Sequence, residues 1–147
     1  MAAEEKREEI IASIVKRLRA RGMRRTKALD LILRELVQME KPITIGDLSQ
    51  KEAVSDQCDT ATVYRLIDRL VAAGVVHRIG LHDRALYYQL NVPGEHHDYL
   101  ICEECGMIQD LELGCPVRAL EEDLRKHSGF ERLRHELAFY GVCPKCA

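Results

Sequence analysis

Tryptophan is absent from the 147 residues, Phe and Tyr together number seven, and Pro occurs four times. No apolar run is long enough to cross a bilayer, so a membrane-spanning helix is excluded. The first nine residues are highly charged where a secretory leader needs an apolar stretch, and a cytoplasmic chain is expected. In that compartment the six cysteines read as metal ligands or free thiols before disulfides. A strong excess of one charge is missing too: the formal net charge is −2, which at first sight points away from nucleic acid. What is present, 46% hydrophobic and 31% charged residues, belongs to a soluble globular chain of one ordinary domain or two small ones.

The small net charge conceals a division. Residues 1–90 carry 16 Lys and Arg against 13 Asp and Glu, while residues 91–147 carry 6 against 11. Residues 10–29 hold seven cations (Lys16, Arg17, Arg19, Arg21, Arg24, Arg25 and Lys27) and no acid. A run of this kind is either a solvated helix face or a phosphate-contacting surface that displaces condensed counterions. All cysteines except Cys58 lie in the acidic half. Charge and thiol chemistry therefore segregate, which argues for two modules.

In the first module Ile10, Ile11, Ile14, Val15 and Leu18 form one helical stripe, ended at Arg21-Gly22. Leu29, Ile32, Leu33, Leu36 and Val37 make a second helix that closes before Pro42. Ile45 and Leu48 belong to a short third element reaching about residue 52. Asp59 or Thr60 caps a longer helix with Val63, Leu66, Ile67, Leu70 and Val71 inward, stopped by Gly74. Residues 75–79 and 85–90 read as a hairpin around a turn at 80–83. That order is a winged helix-turn-helix. The polar side of its last helix offers Thr60, Thr62, Tyr64, Arg65, Asp68 and Arg69, near the end that enters the major groove in such folds. The plainer alternative packs Tyr64 on the wing and pairs Arg65 with Asp59 or Asp68. Arg19 and Arg24, beside this helix in the basic block, are the candidate phosphate contacts.

A short hinge containing Pro93-Gly94 follows, over residues 91–95. Strands are then expected at 99–101, 107–111 and 133–139, with a helix beginning at Pro116 that turns Val117, Leu120 and Leu124 inward. The two Cys-x-x-Cys pairs, Cys102/Cys105 and Cys143/Cys146, are separated by 37 residues. Two such knuckles supply four thiolates for a tetrahedral zinc ion. A redox-active pair and a rubredoxin-like iron centre are the competing readings. The His-x-Glu and Pro-Cys-x-x-Cys patterns of a zinc deaminase are missing, and no enzymatic activity is expected. Cys58 and Cys115 are left as packed or exposed thiols. A second candidate set is His96, His97, Asp98, Asp110 and His135, donors suited to Zn, Fe, Mn or Co. Alternation in an extended segment turns His96 and Asp98 one way and His97 and Tyr99 the other.

From Arg21-Gly22-Met23-Arg24 to Cys146 the chain resembles the ferric uptake regulator family. The specific parts are Ala61-Thr62-Val63-Tyr64-Arg65-Leu66, Ala73-Gly74-Val75-Val76, His96-His97-Asp98-Tyr99-Leu100-Ile101-Cys102, Cys105-Gly106 and Cys143-x-x-Cys146. The resemblance implies a winged-helix DNA-binding domain (1–90), a hinge (91–95) and an α/β dimerisation domain (96–147), an α+β chain overall. It implies structural Zn(2+) at Cys102, Cys105, Cys143 and Cys146, and a DNA-reading helix carrying Tyr64 and Arg65. It implies a homodimeric, metal-dependent repressor of metal-uptake or homeostasis genes, bound to an AT-rich, pseudo-palindromic operator in double-stranded DNA. A second divalent metal (Fe, Zn or Mn) would regulate it; a zinc- or peroxide-sensing member or a metal-independent variant is the alternative.

The chain also departs from the family pattern. Of one family sensing site, the corresponding places are Lys41-Pro42, Gln89, His97 and Tyr99, so only His97 is kept, with Asp110 as a carboxylate. Of the other, His96, Asp98 and His135 fit, while the helix Glu falls at Val117 or Arg118. An Arg at that place would neutralise Asp98 without any metal.

Overall fold

The computed structural model describes the chain apart from residues 81–85, 93–94 and 112–113. It divides into two compact units, Met1–Glu95 and His96–Ala147. The expected wing turn and the Pro93-Gly94 hinge lie largely outside the described residues. No helix among the described residues is long and apolar enough to cross a membrane.

The first unit begins with α1 (Ala2–Ala20) and α2 (Lys27–Gln38). Ile11, Ile14, Val15 and Leu18 on α1 are buried with Leu29, Ile32, Leu33 and Leu36 on α2. Gly22, at φ +82, closes α1 through Gly22 N–H to Arg19 O and Met23 N–H to Leu18 O. This paired return bond needs a left-handed residue, which glycine adopts without Cβ strain. Thr26 opens α2, its hydroxyl accepting from Leu29 N–H at 3.1 Å. Between the helices the Arg34 guanidinium pairs with Glu8.

Next come β1 (Ile43–Thr44), α3 (Ile45–Gln50), the single turn α4 (Glu52–Ser55) and α5 (Thr60–Ala72). Asp59 is the cap of α5, accepting from Thr62 N–H at 2.8 Å. The Thr62 hydroxyl and this backbone bond hold the Asp59 carboxyl below the ordinary carboxylate range. Gly74 stops α5 by the same double bond as Gly22, here Gly74 N–H to Val71 O and Val75 N–H to Leu70 O. β2 (Val76–Ile79) and β3 (Tyr87–Leu90) pair antiparallel from Val76↔Leu90 to Ile79↔Tyr87. The sheet order is β1-β3-β2. Two pieces were not expected: β1, which adds a third strand to the wing, and α4, which splits the short third element. Both are too short to leave a periodic signal.

The second unit is a sheet of order β5-β4-β6, from β4 (Tyr99–Cys102), β5 (Ile108–Asp110) and β6 (Ala138–Gly141), with α6 (Arg118–Ser128) between β5 and β6. β4 pairs antiparallel with β5 and parallel with β6. Two expectations are corrected. The strand read over 133–139 is instead Ala138–Gly141, and residues 133–137 before it are not in a strand. Leu120 and Leu124 are 56% and 50% exposed instead of inward, and α6 buries no residue. Phe130, Phe139, Tyr140 and Val142 are comparably open. The apolar side chains the unit does bury, Tyr99, Ile101, Cys102 and Cys143, make only a small core.

Expected stabilities follow from the packing. Leu33→Ala should destabilise the first unit by about 2–5 kcal/mol, and Thr26→Ala by about 1 kcal/mol, in urea unfolding followed by circular dichroism. The Asp59 cap contributes stability above the ordinary carboxylate pKa, and this is lost as pH falls through the lowered folded value. Asp59→Ala should therefore flatten the acid limb of the melting temperature of the first unit; an unchanged limb excludes the cap as its source.

Candidate metal centres and nucleic-acid interface

Helix α5 puts its apolar stripe inward and leaves Thr60, Tyr64 and Arg65 on the outer side, with Thr62 half-buried. Tyr64 is 50% exposed. Arg65 donates to Thr62 Oγ1 at 3.3 Å, a weak bond that leaves most of the guanidinium fork available. Lys16, Arg17, Arg19, Arg21, Arg24 and Lys27 are exposed around the end of α1. Arg25 is set apart by a two-pronged pair with Asp30, at 2.8 and 2.9 Å.

In the second unit the parallel pair β4·β6 carries a cysteine knuckle beyond the same end of each strand. The four sulfurs of Cys102, Cys105, Cys143 and Cys146 lie within 4.8 Å of one another. Cys105 Sγ is 3.8 Å from Cys143 Sγ, the edge of about 3.8 Å that a tetrahedron with metal–sulfur bonds of about 2.3 Å requires. The backbone N–H groups of Cys105 and Cys143 donate to Cys102 Sγ at 3.5 and 3.3 Å and hold that thiol down. The Cys143 and Cys105 side chains push the Cys146 thiol up. Four sulfurs so close can all ionise only around a cation. The donor set fits a tetrahedral metal ion.

A second cluster forms before the opposite ends of the same two strands. His96, Asp98, Cys115 and His135 bring their donor atoms within 4.8 Å of one another. His135 Nε2 lies 3.1 Å from His96 Nε2, 3.1 Å from Cys115 Sγ and 4.0 Å from Asp98 Oδ1. Asp98 is 3% exposed, and among the described residues its Oδ1 makes no hydrogen bond, although His96 Nε2 stands 2.8 Å away in an ion-pair position. A buried carboxylate oxygen without an aligned donor, facing two imidazole nitrogens, is the environment a divalent ion would satisfy. Behind the cluster His135 Nδ1 bonds Glu121 Oε2, which keeps the Glu121 carboxyl below its ordinary range. Holding Nδ1 in this way turns the Nε2 lone pair toward the other donors.

The five residues read together from the sequence thus fall into two groups. His96, Asp98 and His135 converge. His97 and Asp110 stand apart, with His97 Nδ1 3.6 Å from Asp110 Oδ2 and the His97 ring stacked on Tyr99 at 6.3 Å. Burial raises the Tyr99 hydroxyl pKa, and Asp110 and Asp98 add to this. Cys115 joins the first group instead of remaining a packed or exposed thiol, and Glu121 reaches His135 from the helix, where Val117 or Arg118 was expected. Among the described residues Asp98 is paired with His96 and His135 and not with Arg118. Neither Cys115 nor Glu121 belongs to a fixed-spacing motif; an acid one helical turn inside α6 was the only available signal.

The sequence model of the ferric uptake regulator family matches residues 20–140. The chain belongs to the ferric uptake regulator family. The ferric uptake regulation protein of Campylobacter jejuni is 34% identical over 134 residues, covering 88% of this chain and 83% of that protein. Other relatives of that name, 30–33% identical, are matched over 58–62% of their own length. The solved ferric uptake regulator of Francisella tularensis, described with iron, is 30% identical at a TM-score of 0.64 and covers 85% of this chain and 95% of that one. The Helicobacter pylori regulator, described as having three functional metal-binding sites, reaches a TM-score of 0.70 at 18% identity over 95% and 93% of the two chains, a likeness of fold. The chain is accordingly a metal-responsive transcriptional regulator of the ferric uptake regulator type, in a family whose members bind DNA and are dimeric.

For this family member the four-thiol cluster predicts dependence of the second unit on one tightly held metal ion. Cys143→Ala should lower metal content by one equivalent per chain and abolish amide exchange protection in β4 and β6, leaving α2 and α5 protected. Hydrogen exchange with metal analysis reads both quantities; unchanged protection of β4 would exclude the thiols as the staple.

Proposed function

We propose that the chain is a cytoplasmic, homodimeric repressor of metal-uptake or metal-homeostasis genes, held to an AT-rich, pseudo-palindromic operator when a divalent metal occupies its second unit. The observation that carries this reading is one chain bearing both an exposed Tyr64–Arg65 recognition helix and the His96/Asp98/His135 convergence around an unsatisfied buried carboxylate. Zn(2+) at Cys102, Cys105, Cys143 and Cys146 is the structural ion and supplies the tetrahedral closure of the sheet. The regulatory ion, Fe, Zn or Mn, is held by His96, Asp98 and His135, with His97 and Asp110 as the further candidate pair. The open apolar residues of α6 and β6 are the surface for a second copy.

The mechanism is linkage. Metal favours one arrangement of the two winged helices of a dimer, DNA favours the arrangement whose spacing matches half-sites one helical turn or a multiple apart, and each ligand therefore strengthens the other. Within the recognition helix, Arg65 reads a guanine edge, Tyr64 meets a thymine methyl, Thr60 and Thr62 reach phosphate, and Arg19 and Arg24 position the module on the backbone. No chemical step is required of any residue.

In fluorescence anisotropy with an AT-rich palindrome, about six to ten phosphate contacts per dimer should cost ~10³–10⁵ in affinity between 50 and 200 mM salt. Arg65→Ala should weaken specific binding by about 1–3 kcal/mol and relax preference at one base pair, whereas Arg19→Ala should weaken all sequences alike and flatten the salt slope. Equal affinity of zinc-stapled protein with and without added Fe(II), Mn(II) or Zn(II) would rule out metal control.

A further inference from the structure

We infer that Cys115 is the fourth ligand of the His96/Asp98/His135 centre, and that its sulfur makes this a site for zinc-class ions in preference to iron or manganese. The inference deepens the metal-control reading above by naming the ion class.

The argument begins with position. Cys115 lies just ahead of α6, and its half-buried sulfur sits 3.1 Å from His135 Nε2. The sulfur joins the other three donor atoms within one 4.8 Å span. A tetrahedral ion bound at about 2.0–2.1 Å to imidazole and about 2.3 Å to thiolate would space these donors about 3.3–3.6 Å apart. The distances around His135 Nε2, from 3.1 to 4.0 Å, bracket that value before any ion draws them in. Two imidazoles, one buried carboxylate and one sulfur complete a four-donor set.

The chemistry then decides among ions. Iron(II) and manganese(II) favour more ligands and harder oxygen donors, whereas a soft thiolate in a four-coordinate shell suits zinc and its spectroscopic substitute cobalt(II). Glu121 acts through His135. Its bond to Nδ1 fixes the tautomer that presents Nε2, so Glu121 is a positioning residue and not a ligand. The helix acid is thus kept in the outer shell, and the place beside His135 Nε2 falls to the cysteine.

The test uses full-length protein with zinc filling the four-cysteine centre, titrated with cobalt(II). The wild type should take up a further equivalent with tetrahedral visible bands and a near-ultraviolet thiolate-to-cobalt charge-transfer band. In Cys115→Ser the charge-transfer band should vanish, and the ratio of zinc to manganese affinity should fall by about tenfold or more. Glu121→Gln should cost about 10- to 100-fold in cobalt affinity while keeping the charge-transfer band, a split that a generally unfolded site would not give. Circular dichroism and retained zinc in each variant show that the second unit is intact. Cobalt uptake without the charge-transfer band, or an unchanged zinc-to-manganese ratio in Cys115→Ser, overturns the inference. Failure to take up any further ion overturns the inference and the metal-control reading together. A wild-type charge-transfer band with DNA affinity unmoved by the metal upholds Cys115 as a ligand and sinks metal control alone.

Discussion

Parallel pairing of β4 with β6 is the constraint on which both donor sets depend. The ladder runs from Tyr99↔Ala138 to Cys102↔Gly141 and is extended at each end by Tyr99 N–H to Leu137 O and Glu103 N–H to Gly141 O. Because the strands run the same way, residues entering them meet at one end and residues leaving them meet at the other. His96 and Asp98 enter with His135; Cys102 and Cys105 leave with Cys143 and Cys146. Each strand is four residues long, so at about 3.3 Å per residue the two centres stand roughly a strand length apart. Parallel neighbours cannot be joined by a tight turn and need a long crossover. Most of the 37 residues between the Cys pairs belong to that crossover, which contains β5 and α6, and the rest are β6 and its exit. The wide spacing of the two Cys pairs is therefore a topological requirement.

The winged unit was readable from sequence because its signals are local. The apolar stripes of α1, α2 and α5 face a core made by the same unit, and Gly22 and Gly74 occupy left-handed stops that few other residues tolerate. The second unit was less legible for two physical reasons. Leu120 and Leu124 have the spacing of an inward stripe, yet periodicity says only that a face is apolar, not that its cover lies in the same chain. The alternation of Leu133, His135 and Leu137 suggested ladder pairing, but His135 meets its donors before β6 begins. Cysteine pairs announced themselves by spacing. Cys115 and Glu121 could not, since nothing about a lone Cys or one acid among several shows which imidazole it will meet.

Charge follows the same division of labour. Among the exposed cations around the end of α1, Arg25 is neutralised by Asp30. Arg34 is likewise used internally, against Glu8. The surviving positive field is therefore narrower than the count of basic residues suggests and is concentrated around the end of α1. A chain of net charge −2 can bind a polyanion under these conditions, because attraction depends on the charge near the phosphate and decays within a Debye length of about 8–10 Å.

The two centres differ in what each does without a metal, and this difference suits them to different roles. Four adjacent thiols have no internal way to satisfy four negative charges, so without an ion that end of β4 and β6 would be held only by the ladder and by Cys143 N–H to Cys102 Sγ. The mixed centre keeps a partner of its own: Glu121 continues to hold His135. Its unsatisfied part is a single carboxylate oxygen, Asp98 Oδ1. Under the proposed function, vacating it would cost less structure, and occupancy would follow the free metal concentration while the fold persists. By mass action an ion at a hundred times its dissociation constant contributes about 2.7 kcal/mol to the state that binds it, enough to shift a balanced equilibrium nearly completely. A centre tied into the fold by all four ligands would be a staple at those concentrations, whereas under the proposed function one whose His135 is held by Glu121 would act as the sensor.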